Sequence, residues 1–115
     1  MKTIDLARFN KSRESSIEAG GHTFIIRRPS VLEVHRAVSN GGSISIDFAA
    51  DQVVGWSKVN ESDLINGGDP EPLAFDADVF KAWIADRSDL WQPIVMGVVD
   101  AFKRHEEATE NRGNA

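Results

Sequence analysis

The apolar positions change period along the chain. His22-Thr23-Phe24-Ile25-Ile26-Arg27 alternates, with Phe24 and Ile26 on one face and Ile25 on the other. Ser16-Ile17-Glu18-Ala19 precedes it across Gly20-Gly21, and two glycines supply the positive φ of a tight turn, so the pair predicts a β-hairpin. A hairpin alone is marginal and must pack on helices. Pro29 ends the strand, and Ser30-Val31-Leu32-Glu33 is a capping box for a helix from Val31 to about Ser39, stopped at Asn40-Gly41-Gly42. From Asp47 onward, Phe48, Ala49, Val53 and Trp56 recur at helical spacing and predict a second helix, with Gly55 near its end. A polar connection, Asn60 to Glu71, follows. Asp76 then caps a third helix whose Val79, Phe80, Trp83 and Ile84 share a face. Asp89 and Gln92 offer a cap for the last helix, which places Ile94, Val98, Ala101, Phe102 and His105 on one stripe and is expected to run to about Glu107.

These elements predict one domain over residues 1–115 of the α+β class, mostly α: an N-terminal β-hairpin packed against about four helices. Residues 1–14 mix Ile4, Leu6 and Phe9 with scattered charge and show no clean period, so they are expected to form a flexible arm. Residues 108–115, charged and small, are expected as a flexible tail. The stretch from Phe48 to Phe75 joins the two halves, and the aromatic residues at its ends are the natural contacts between them.

Composition sharpens this picture by exclusion. A chain of 115 residues buries about 65% of its unfolded surface by area scaling, enough for a core without staples. Apolar residues make up 41% and charged residues 27%, which is ordinary for a globular protein and not for a disordered one. The chain has no Cys, which excludes a disulfide framework and a thiolate metal site. Its net charge of −5 repels nucleic acid at long range. No apolar run is long enough to cross a bilayer, and Met1-Lys2-Thr3-Ile4-Asp5-Leu6 lacks the apolar core of a signal peptide, so a cytoplasmic location is expected.

No catalytic, cofactor or metal constellation emerges. His22, His35 and His105 fall on different elements without ligand spacing, and surface or half-buried histidines are the expected reading. The paired glycines at 41–42 and 67–68 lack the Gly-Lys-Ser/Thr ending of a phosphate loop. Asp63, Asp69 and Glu71 do not have the spacing of a calcium loop. Arg27-Arg28 is a basic pair expected to cover the hairpin's rim. The three tryptophans carry more information, because indoles are favoured both in cores and at interface hot spots. Trp56, Phe75, Trp83 and Trp91 border the central loop and are the candidate partner-binding or self-association residues.

The order and spacing of several segments carry a resemblance: Ile26-Arg27-Arg28-Pro29-Ser30, then Phe48 with Val53-Val54-Gly55-Trp56 and Val59, then Pro72-Leu73-Ala74-Phe75-Asp76, two helices, and Gly113-Asn114. Over roughly Ser16 to Asn114 the chain resembles the tail assembly chaperones of long-tailed bacteriophages, lambda-like and HK97-like. The resemblance implies a non-enzymatic protein of the host cytoplasm, absent from the mature virion. Such a protein binds the tape measure protein and keeps it soluble while the tail tube polymerises around it. It also implies a longer product made by ribosomal slippage near Gly113-Asn114, whose codons can form a slippery heptamer, and through that product a contact with the major tail protein. Homo-oligomerisation is a further expectation. A small helical DNA-binding regulator or antitoxin is the alternative, and it requires a basic recognition helix that none of the expected helices supplies.

Overall fold

The expected turn at Gly20-Gly21 is formed with φ of +60° and +82°, the doubly left-handed geometry of a two-residue hairpin. In the computed structural model, which describes residues 1–39 and 41–113, it joins β1 (Glu14–Ala19) to β2 (His22–Arg27), with Ile17 opposite Phe24 and Ala19 opposite His22. Gly20 is also needed for space: a Cβ there would lie 2.6 Å from Leu90 Cδ2. Asn40, in the expected helix stop, and Asn114, in the C-terminal part of the resemblance, fall outside the described residues.

The hairpin does not end the sheet. The helix expected through Trp56 is instead two elements, α3 (Ile46–Asp51) and a third strand, β3 (Val53–Ser57), antiparallel to β2. Ser45 caps α3 by accepting from the Phe48 backbone N–H at 3.2 Å. Its helical period continues into Val53 and Trp56, but Val-Val-Gly-Trp suits a pleated surface better, and β2 offers an open edge of backbone donors and acceptors. Pairing with that edge outweighs the local period. Phe24 faces Trp56 and Ile26 faces Val53 across a register shift, so all four lie on the covered side of the sheet.

Helix α2 (Val31–Val38) starts with the expected capping box: Ser30 Oγ accepts from the Glu33 N–H, and Glu33 accepts from the Ser30 N–H, both at 3.0 Å. The polar connection contains a short helix, α4 (Glu61–Leu64), and its ends are tied by backbone bonds such as Glu61 N–H to Glu71 O and Leu73 N–H to Val59 O. Asp76 caps α5 (Ala77–Ile84) by accepting from the Val79 N–H at 3.0 Å. That helix buries Phe80, Trp83 and Ile84, but Val79, expected on the same face, is 44% exposed.

The last helix, α6, runs from Trp91 to Gly113, beyond the expected end at Glu107, because Lys, Arg, Glu and Ala at 103–112 propagate a helix without a breaker. Asp89 does not cap it. A 3-10 turn, Ser88–Leu90, leads in, and the Asp89 carboxylate accepts two bonds from the Arg87 guanidinium at 2.9 Å. Helix α6 lies across β1 and against α3, burying Ile94, Val98 and Ala101. Gly97 permits the approach, since a Cβ there would meet Ile17 Cγ2 at 2.6 Å.

Six helices and three strands among the described residues make the protein α+β and mostly α. The segment expected as a flexible arm contains α1 (Leu6–Lys11), capped by Asp5, and its last residue, Glu14, already belongs to β1. Neither α1 nor α2 buries a single side chain fully. The Cα radius of gyration is 16.0 Å, against about 13 Å for a compact chain of this length, which reflects these loosely seated helices and the long reach of α6. No described helix is long and apolar enough to cross a membrane.

Candidate functional site

Two seams of the fold gather aromatic and aliphatic side chains. The first lies between the sheet and α5 and is closed. Trp83 from α5 meets the His22 ring edge-on at 5.3 Å and the Trp56 ring at 6.1 Å and 89°, and Trp56 in turn meets Phe75 edge-on at 5.1 Å. Phe24 and Phe80, both fully buried, fill the centre. The polar handles are satisfied as well: Trp56 Nε1 donates to Leu73 O at 2.9 Å, fastening the end of the central loop to β3. His22 is buried, contrary to the surface or half-buried expectation. Its Nδ1 donates to Lys58 O at 2.8 Å, which holds the turn where Lys58 takes a φ of +60°. That bond gives His22 a structural task.

Of the four aromatic residues singled out in the sequence, Trp56, Phe75 and Trp83 therefore converge in one cluster, with Trp83 only 9% exposed. Trp91 stands apart. Half-buried, it donates from Nε1 to Ile84 O at 2.6 Å and lines a groove of ≈ 430 Å³ with Ile46, Ala50 and Ile84. The exposed Lys81–Asp51 ion pair, 2.6 Å, borders the same groove.

The second seam, between α2 and the middle of α6, is open. Val34, Ile44, Val99 and Phe102 are only half-buried and, with buried Pro29 and Val98, floor a groove of ≈ 340 Å³. Glu106, Glu107 and Glu110 are exposed at its rim, with Lys103 beside them. Val31, one turn before Val34, is 53% exposed and Leu32 is 54% exposed, so the apolar surface continues along α2. Elsewhere, Ile4, Leu6 and Phe9 of the N-terminal segment are exposed by 59%, 72% and 48%. The α2–α6 groove thus combines an apolar floor with an acidic rim.

These groove residues escaped the sequence reading, which placed Phe102 on the buried stripe of α6. The signal was a second stripe beside the first: Val95, Val99 and Phe102 recur at intervals of four and three. Among the described residues no three His, Asp or Glu side chains gather to hold a metal, and the three histidines remain on separate elements. Compared with family models, with curated proteins and with solved structures, the chain matches none.

Proposed function

We propose that this protein is a non-enzymatic tail assembly chaperone of a long-tailed bacteriophage, acting in the host cytoplasm on the tape measure protein. The observation that carries the reading is the open α2–α6 groove, apolar in its floor and acidic at its rim. A tape measure protein is helix-rich in the family that the chain resembles, and before the tube encloses it such a helix exposes an apolar stripe. An apolar stripe flanked by Lys or Arg fits this groove by both shape and charge. The chaperone's net charge of −5 then keeps the complex soluble. The half-buried Trp91, in its own groove, supplies a second contact. Trp56, Phe75 and Trp83 contribute by holding α5 and the central loop against the sheet. A longer frameshifted product that reaches the major tail protein, and self-association of the chaperone, belong to the same proposal.

The test is co-expression with the long helical protein encoded nearby. Wild-type chain is expected to keep that protein in the soluble fraction and to co-purify with it. Phe102→Glu and Val34→Lys in the groove are expected to abolish both effects while the variant itself stays folded by circular dichroism. Undiminished solubilisation by folded Phe102→Glu and Val34→Lys variants removes the groove from the mechanism. Failure of the wild-type chain to bind removes the chaperone reading.

A further inference from the structure

We infer that the cavity between the start of β1, the end of β2 and the middle of α6 is a binding site for a phosphate-class dianion, held by Arg13, Ser15, Arg28, Arg104 and His105. The cavity measures ≈ 240 Å³ and all five side chains line it. They come from three places in the chain that the fold brings together: Arg13 and Ser15 at β1, Arg28 just past β2, and Arg104 with His105 on α6. The Arg28 N–H donates to Arg13 O at 2.8 Å, which fixes the first two against each other.

Two independent observations suit this cavity to an acceptor. Arg13 Nε and Ser15 Oγ are buried without a hydrogen-bond partner, and buried donors in native proteins are nearly always paired. The Phe9 ring lies 5.4 Å from the Arg13 guanidinium carbon and shields that side of it from water. The second observation is charge. In a chain of net charge −5, three guanidiniums gather here, and neither ion pair formed among the described residues, Lys81–Asp51 or Arg87–Asp89, involves any of them. One Arg28 N–H is used, donating to Pro29 O at 3.0 Å.

Three acids lie near: Glu14 also lines the cavity, Glu33 approaches from α2 and Glu106 from α6, and the Glu33 carboxylate already accepts from the Ser30 N–H. The cations also repel one another. Burial and then Arg13 lower the Arg28 pKa, against the pull of Glu33; burial and then Arg28, Arg112 and Arg13 lower that of His105, against Glu106. A dianion relieves this repulsion. A carboxylate is planar and is filled by one guanidinium fork, whereas a tetrahedral oxyanion presents oxygens to donors arriving from three elements.

The experiment uses the full chain and inorganic phosphate, with ionic strength held constant by sodium chloride. Phosphate is expected to shift the Arg13 Nε–H and His105 ring resonances saturably and to raise the His105 pKa, because a bound dianion favours imidazolium. Ser15→Ala and Arg28→Gln are each expected to weaken binding tenfold or more. Arg104 is exposed, so Arg104→Gln leaves the fold intact and still weakens binding, which keeps the test decisive if Arg28→Gln fails to fold. Shifts that do not saturate, or that are unchanged in Arg104→Gln, overturn the site. Acetate binding as tightly as phosphate overturns the dianion assignment.

Discussion

The two seams of this protein use similar residues to opposite ends. Between the sheet and α5, six aromatic rings, from His22, Phe24, Trp56, Phe75, Phe80 and Trp83, meet mostly edge-on or tilted, and the Trp56 indole N–H and the His22 Nδ1 end on backbone carbonyls. Between α2 and α6, aliphatic residues and Phe102 stop half-covered, and glutamates line the edge. The lesson is that ring count does not locate an interface. An indole sealed between the sheet and a helix, as Trp83 is, has completed its packing, whereas an aliphatic floor left open still has apolar surface to cover.

The sharpest way to break this contrast is to empty the closed seam. Phe80→Ala is expected to cost about 3–5 kcal/mol, read as a fall in the denaturation midpoint. Phe102→Gln in the open seam is expected to cost about 1 kcal/mol or less. Equal losses at the two positions would erase the distinction between a finished core and an open groove. Gly97→Ala comes next, at about 1–3 kcal/mol, because the new methyl overlaps Ile17 in the contact of α6 with β1. Combining it with Ile17→Ala should recover part of the loss, and a strictly additive double variant would show that the overlap is not the cause.

Trp56→Phe keeps the ring and removes the bond to Leu73 O, with an expected cost of about 1 kcal/mol. Calorimetry showing no change would mean that this indole N–H is not fastening the loop. Ser30→Ala is expected to cost about 1 kcal/mol through the lost cap of α2. The Ser30 backbone N–H, the largest influence, holds the Glu33 carboxyl below its usual range. A carboxyl lowered on folding stabilises above its unfolded pKa, so the contribution of Glu33 is present at neutral pH and fades as pH falls through the folded value. Glu33→Gln should flatten that part of the stability profile. Smallest of all is Lys81→Ala: its partner Asp51 is still more exposed, solvent screens the pair, and the denaturation midpoint should not move measurably.

How much of this was legible depends on the range over which each feature is decided. The hairpin, the Ser30 capping box and the Asp76 cap were readable because a turn or a cap is settled within a few residues by φ and by a single side-chain bond. The third strand was not. Phe48 through Trp56 satisfies a helical period locally, and only the open edge of β2, more than twenty residues away in sequence, turns Val53–Ser57 into a strand. The aromatic candidates were identifiable in the sequence, but not that Trp56 and Phe75, half-buried, join the buried Trp83 in one cluster, because the three find one another through the sheet and α5.

The amino-acid order by itself determined the class, the hairpin turn, the caps at Ser30 and Asp76, and the acidic balance. Tertiary structure alone decided which apolar side chains were covered. It also placed Arg13, Arg28 and Arg104 around one cavity, although 91 positions separate the first from the last. Periodicity records which way a residue faces along its own element, but coverage depends on what a distant element brings to that face.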